Sequence, residues 1–213
     1  GYEGIRKVVT SPLLDDMARK LRDDAQLQVL SFNWWQGERH LLTNKPIKVP
    51  ADLEGVRMRT PGAPVWTETV KAMGATPAPM AWADVYSALQ TQVIDAVEAQ
   101  DPAAYGSRLY EVTKYLTKTG HFNLITGLVT SAAWFDALPA DLQTILKEEA
   151  LKAGDVASYG TEAAIADIEA KMTAAGMTID EIDVTPFKEA TAGVYETLSY
   201  TDLKKQVDAI LAQ

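Results

Sequence analysis

Residues 55–99, GVRMRTPGAPVWTETVKAMGATPAPMAWADVYSALQTQVIDAVEA, contain the pattern that decides the fold. Residues 55–60 alternate between polar and apolar side chains, which predicts a strand. Residues 93–99 are almost wholly apolar, which is typical of a buried strand. Between these two strands the sequence predicts a helix, a short strand and a second helix, at residues 66–73, 76–80 and 82–92. Strands that alternate with helices favour an α/β fold with a largely parallel sheet.

The sequence on both sides of this stretch continues the alternation. Strands are predicted over residues 27–33, 119–130 and 178–182. Helices are predicted over residues 11–24 and from Thr185 and Thr201 onward. A further helix is predicted where apolar residues form one stripe, at Tyr105, Leu109, Val112 and Leu116. Residues 139–176 keep helical spacing, and one continuous helix there would be ~57 Å long at ~1.5 Å per residue. Because this exceeds an ordinary domain, we expect the helix to cross two lobes or to kink near Gly154 and Gly160.

Composition excludes several classes of protein. The 213 residues carry a net charge of −9, which argues against a nucleic-acid-binding protein. No apolar run approaches the ~20 residues of a membrane span. The chain has no Cys and two distant His, no close-spaced set of metal ligands and no glycine-rich phosphate loop. We therefore expect neither a metal nor a cofactor.

A cluster of cationic and aromatic residues stands out in this acidic chain. Trp35 and its neighbour Trp34 lie close to Arg39, where a strand is predicted to end. Arg57 and Arg59 alternate with apolar residues, so both are expected on one face of a strand. A guanidinium held at a strand end matches a carboxylate bidentately.

Each of these residues also has a structural alternative. Arg39 could pair with Glu38 or another acid, and Arg57 is better explained as a solvated rim residue. Trp82 at a helix start is more often a core residue than a pocket wall. His121 is more often a partly buried, hydrogen-bonded residue than a catalytic one.

The same residues carry a family likeness. Residues 37–59, GERHLLTNKPIKVPADLEGVRMR, resemble the G-x-R…N-x-P-I…P-x-D-L-x-G-x-(K/R)-x-R block of DctP-type solute-binding proteins, the extracytoplasmic components of TRAP transporters. Further matches cover residues 73–98, 109–116 and 138–143. The resemblance implies a two-lobed α/β clamp, like other periplasmic binding proteins, in which a long helix spans both lobes.

The resemblance also implies a function and a division of the chain. The protein is expected to be a periplasmic, monomeric binding protein, not an enzyme, that captures a small organic acid and delivers it to the membrane subunits of a TRAP permease. Lobe I is assigned residues 1–36 and 125–164, and lobe II residues 37–124 and 165–213.

The family's ligand contacts transfer to particular positions. The Arg that pairs with the ligand carboxylate falls on Arg59, an assisting Arg on Arg39, and an aromatic wall on Trp82. The remaining assigned positions are a ligand-side position on Ala99, a polar lining position on His121 or Asn123, and a nearby indole, Trp35.

Two departures from the family pattern matter. Many members carry Glu-Asn-Pro where this chain has Glu98-Ala99, so an amide is missing and a polar, sialic-acid-like ligand is disfavoured. The neighbouring indoles favour a smaller or more apolar carboxylate. The family's N-terminal β/α stretch has no counterpart in the sequence, and the missing strands are expected to expose apolar sheet edges.

Three rival hypotheses remain open at this point. The first is a sensory ligand-binding domain of the same fold. The second is an enzyme that uses His121 as a general base on an acid held by Arg. The third is a structural fragment without a competent cleft.

Overall fold

A computed structural model describes residues 1–213 as an alternation of helices and strands. The strands are β1 (Leu27–Thr43), β2 (Arg57–Thr60), β3 (Thr76–Pro79), β4 (Ala96–Gln100), β5 (Tyr115–Ser131) and β6 (Thr178–Glu181). The helices are α1 (Tyr2–Val9), α2 (Pro12–Ala25), α3 (Pro64–Ala72), α4 (Val85–Gln90), α5 (Asp101–Gly106), α6 (Ala132–Asp136), α7 (Ala140–Ala174), α8 (Thr185–Thr191), α9 (Val194–Thr197) and α10 (Thr201–Leu211). None of the helices has both the length and the apolar character that crossing a membrane requires.

The chain forms two compact units. Unit 1 contains residues 1–37, 124–164 and 202–213, and unit 2 contains residues 38–123 and 165–201. Three elements contribute residues to both units: strands β1 and β5 and the 35-residue helix α7. Helix α7 is the long helix that the sequence predicts to be shared by two lobes.

The C-terminal residues depart from the division expected from the sequence, which placed 165–213 in lobe II. Residues 202–213 belong to unit 1, because α10 packs beside α1. A methyl group added at Gly4 would lie 3.7 Å from the Leu211 side chain.

The six strands form a mixed sheet in the order β3-β2-β4-β1-β5-β6. The pairs β2–β3, β2–β4 and β5–β6 are parallel, as the sequence predicts. The exception is β1, which runs antiparallel to β4 and places Arg39 opposite Gln100. Because β2, β3 and β4 are parallel, their carboxyl ends lie at one edge of the sheet.

Apolar clusters cover both faces of the sheet in unit 2. Leu42 and Val97 belong to one cluster, and Leu41 and Ala96 belong to the other. Every residue of β4 is buried, which explains why this strand appears as an almost continuous apolar run in the sequence.

Two sequence predictions are wrong in extent. Strand β1 does not end near Trp34 but continues to Thr43, because the polar residues of its second half find partners inside unit 2. The stripe from Tyr105 to Leu116 is not one helix. Helix α5 ends at Gly106, Arg108 takes a left-handed conformation with φ 55°, and Leu116 lies in β5.

A buried polar network organises unit 1. The Tyr2 hydroxyl donates to Asp155 at 2.7 Å and contacts the Asn33 carbonyl at 3.0 Å. The Asn33 amide donates to the Leu151 carbonyl at 2.8 Å, and Ser158 donates to the Asn33 carbonyl at 2.7 Å. These bonds tie α1 and β1 to the first part of α7.

Candidate ligand-binding site

Arg39 and Glu98 form a buried ion pair in unit 2. The antiparallel register of β1 and β4 brings them together, and the Arg39 Nε and Nη2 groups hold both carboxylate oxygens of Glu98. Nη2 also donates to the Glu98 carbonyl at 2.7 Å. The Glu98 side chain is fully buried, so each charge neutralises the other away from water. The partner of Arg39 is therefore Glu98 rather than Glu38.

His121 supports the Glu98 carboxylate from β5. Its Nε2 atom lies 3.6 Å from Glu98 Oε2, and its Nδ1 atom lies 2.7 Å from the Thr119 hydroxyl. Burial by itself would raise the pKa of Glu98, but His121 and Arg39 outweigh it and hold that pKa below its ordinary value. Glu98 is thus a carboxylate whose charge is already compensated.

Arg59 is a buried cation without a carboxylate partner. It lies near the end of β2, is 5% exposed, and directs Nε and Nη2 to the Met80 carbonyl at 3.1 and 2.9 Å. Burial lowers its pKa, the charge of Glu98 opposes this effect, and the charge of Arg39 adds to it. A desolvated cation without a counter-ion raises the free energy of the site until an anion binds.

Trp82 forms a fixed aromatic surface beside this cation. The Arg59 Cζ atom lies 5.2 Å from the centroid of the Trp82 ring. The indole Nε1 donates to Ser107 Oγ at 3.1 Å, which fixes the ring in its plane. Trp82 also packs against the apolar cluster that contains Leu42 and Val97, so its core role and its place beside Arg59 coexist.

The remaining predicted residues differ in their positions. Ala99 is fully buried in the apolar cluster against which Trp82 packs, on the face of β4 opposite Glu98 and Arg39 and on the same face of the sheet as Arg59. Asn123 is exposed in β5, two residues beyond His121. Trp35 belongs to unit 1, where its ring stacks with Tyr2 at a centroid distance of 6.4 Å. Arg57 pairs with Asp95 and is half exposed.

Sequence reasoning missed two residues that shape the site. Glu98 neutralises Arg39, and the Gln100 side chain accepts a hydrogen bond from Arg39 Nη1 at 2.8 Å. Both lie on the strand that the sequence predicted, at positions that alternate with Ala99. The signal was their polar character within an otherwise apolar strand, which implies a buried partner.

Solved structures with the same fold are bacterial binding proteins. A TRAP periplasmic solute-binding protein from Escherichia fergusonii, in an apo open structure, is 45% identical, with a TM-score of 0.89 over 99% of this chain and 71% of that chain. One from Ochrobacterium anthropi with bound L-fuconate is 31% identical, with a TM-score of 0.91 over 99% and 70% of the two chains.

Curated relatives agree with these structures but are longer. The ectoine/5-hydroxyectoine-binding periplasmic protein UehA of Ruegeria pomeroyi is 34% identical over 189 residues, which is 86% of this chain and 56% of that protein. Across three curated relatives the chain spans between 46% and 63% of their lengths.

The class of protein that fits these features is a solute-binding protein. The features are the two α/β units, the helix that contributes to both of them, and the buried cation at the strand ends. The model of one family matches residues 2–202, nearly the whole chain. The chain belongs to that family, DctP, the bacterial extracellular solute-binding proteins of family 7.

Proposed function

We propose that this chain is the ligand-capturing part of a periplasmic TRAP solute-binding protein that binds a small organic acid through Arg59 and delivers it to a TRAP permease. The observation that carries the proposal is the unpaired, buried Arg59 guanidinium beside Trp82. The family and the TRAP periplasmic binding proteins that the chain resembles support the periplasmic location, the permease partner and a binding rather than an enzymatic role. The monomeric state is part of the proposal.

The Arg59 guanidinium has donors to spare for a carboxylate. Of its five N–H groups, Nε–H and one Nη2–H are used by the Met80 carbonyl. The outward edge formed by Nη1 and the second Nη2–H is left for a ligand, and it has the parallel fork geometry that holds both oxygens of a carboxylate. Trp82 covers the guanidinium and reduces its contact with water, which strengthens the ion pair.

Arg39 assists this pairing indirectly. Its own charge is balanced by Glu98, so it contributes geometry and hydrogen bonding rather than an unpaired charge. The relatives support an acid as ligand, since one of them was solved with L-fuconate, which is a carboxylate.

The test compares two arginines of the same strand. Native mass spectrometry of the purified chain, followed by a denaturing measurement, detects a bound acid and gives its mass. Isothermal titration with L-fuconate and with the detected acid then compares wild type, Arg59→Ala and Arg57→Ala. Removing one partner of a buried ion pair costs about 3–5 kcal/mol, so Arg59→Ala should weaken binding more than 100-fold.

Arg57→Ala is the matched control, since this residue is half exposed and already paired with Asp95. Its affinity should stay within about threefold of wild type, as expected for loss of an exposed pair. Unchanged acid binding by Arg59→Ala would show that the ligand is held elsewhere.

A further inference from the structure

We infer that two copies of this chain associate through the exposed face of α7, as an antiparallel helix pair that forms at high protein concentration. The monomer proposed above is then the form of the dilute protein. The interface goes beyond the proposed function, because it lies in the part of α7 that belongs to unit 1, whereas Arg59 and Trp82 belong to unit 2.

Six exposed side chains repeat along this part of α7 at intervals of three and four residues. We call them the α7 stripe: Leu142, Ile145, Glu149, Lys152, Val156 and Tyr159. At about 3.6 residues per turn, this spacing places all six within about 100° of the helix circumference. The same spacing forms the contact seam of two-helix coiled coils.

The α7 stripe has its back to the core of unit 1. Ala150 and Ser158, on the other side of the helix, are buried, whereas Val156 is 76% exposed. The Tyr159 ring is held edge-on by Tyr2 at a centroid distance of 4.9 Å and stays exposed. Apolar side chains that cluster on one exposed face indicate an interaction surface, whereas scattered ones need no explanation.

The α7 stripe is symmetric about its own centre, which favours a second copy of the chain as the partner. Two apolar residues lie at each end and two charged residues lie in the middle. In an antiparallel pair whose twofold axis passes the middle of the stripe, Leu142 of one copy faces Tyr159 of the other. Ile145 likewise faces Val156. A twofold dimer requires this kind of self-complementary surface.

The central charges favour the antiparallel orientation. Glu149 and Lys152 pair within the helix at 2.7 Å, and both side chains remain largely exposed. In the antiparallel pair, Glu149 of each copy faces Lys152 of the other, so two layers bring opposite charges together. A parallel pair would place each of these residues against its own copy, and like charges disfavour that arrangement.

The small size of the seam makes the association weak and reversible. A stable interface buries about 800 Å² and about 20–30 residues on each partner, and the α7 stripe offers far fewer. Each copy also carries a net charge of −9, and the repulsion between copies is screened by salt. We therefore expect a dissociation constant between about 1 μM and about 1 mM.

Analytical ultracentrifugation over that concentration range, at about 0.15 M salt, measures the association. The average mass should rise from 23.2 kDa toward about twice that value. Val156→Glu should raise the dissociation constant about 100-fold, because burial of this side chain contributes about tenfold in each copy. Val93→Glu is the matched control, since Val93 is an exposed valine of unit 2, and it should associate like wild type.

Disulfide trapping tests the antiparallel register, because the chain has no Cys of its own. Positions 145 and 156 are about 16 Å apart along one helix, and a disulfide joins Cα atoms no more than about 7 Å apart. An oxidised mixture of Ile145→Cys and Val156→Cys should therefore form a covalent dimer, while each variant alone should stay unlinked.

Three results would overturn the inference. The first is a monomer at every concentration, which would leave the α7 stripe to a different polypeptide. The second is a dimer that Val156→Glu leaves unchanged, and the third is linkage of either cysteine variant with itself.

Discussion

Asp101 is a buried carboxyl whose ionisation should destabilise the protein. It begins α5, its side chain is 3% exposed, and its Oδ1 atom has no hydrogen-bond partner. Burial raises its pKa from 3.8 to about 7, and the negative charges of Glu169 and Glu38 contribute to this rise. The positive charge of Lys118 opposes it. His40 Nε2 lies 3.8 Å from Asp101 Oδ2, too far for a hydrogen bond.

His40 does not supply the missing positive charge. Its Nδ1 atom accepts a hydrogen bond from the Gly120 backbone at 3.1 Å, which leaves the proton of the neutral ring on Nε2. Burial is the main cause that lowers the pKa of His40 to about 3, and the neighbouring His121 and Lys118 add to it. Asp101 and His40 are therefore both neutral near pH 6.

The sign and size of the effect follow from proton linkage. Between pH 3.8 and about 7 the folded Asp101 keeps a proton that the unfolded chain has lost, so the free energy of unfolding falls as pH rises. Integrated from about pH 5 to about pH 8, this loss is about 2.5 kcal/mol. Asp101→Asn cannot ionise, so its stability relative to wild type should increase by about that amount over the same range.

Urea denaturation at several pH values between 5 and 8 measures this difference. The loss of stability that His40 causes below its unfolded pKa occurs in both proteins and cancels in the comparison. Asp23→Asn, at an exposed position, is the control and should track wild type at every pH. A stability difference between Asp101→Asn and wild type that stays constant from pH 5 to 8 would refute an ionising, buried Asp101.

Two further predictions concern packing and buried charge. In α7, a methyl group added by Gly160→Ala meets nothing within 4 Å, so this variant should be more stable than wild type by about 1 kcal/mol. The methyl group added by Gly154→Ala overlaps the buried Asn33 amide, so that variant should be less stable by about 1–3 kcal/mol. Thermal unfolding compares the pair, and equal shifts would contradict the tight packing at Gly154. Glu98→Gln leaves Arg39 buried without its counter-ion and should lower the free energy of unfolding by about 3–5 kcal/mol. Urea denaturation measures this, and a decrease below about 1 kcal/mol would contradict the buried ion pair.

The elements between residues 55 and 100 were predictable because their signals are local. Strand β2, helix α3 and strand β3 lie within a few residues of the predicted ranges, since Pro64 begins the helix and Gly74, with φ +100°, follows it. The stripe that ends at Leu116 shows the limit of such reasoning. Helical spacing of apolar residues continued past Gly106, and only the tertiary structure assigns the last of them to a strand.

The site was predictable only in part, for a different reason. Arg59 could be singled out because a strand-end arginine among aromatic residues is a local pattern. The sequence could not show that Arg59 lacks a carboxylate partner, because the acidic residues that could pair with it come from distant segments of the chain. Arg39 and Glu98 are 59 residues apart in sequence, and the antiparallel pairing of β1 with β4 that joins them has no local signature.

The difference between the two arginines restricts the charge of the ligand. Arg39 and Arg59 bring two positive charges to the buried strand ends, and Glu98 removes one of them. The remaining single charge on Arg59 matches one carboxylate, and a second carboxylate would meet the already compensated Glu98 instead of a free cation. The proposed Arg59 site is therefore complementary to a monoanion, because Glu98, which the sequence left unassigned, sets the net charge at the strand ends.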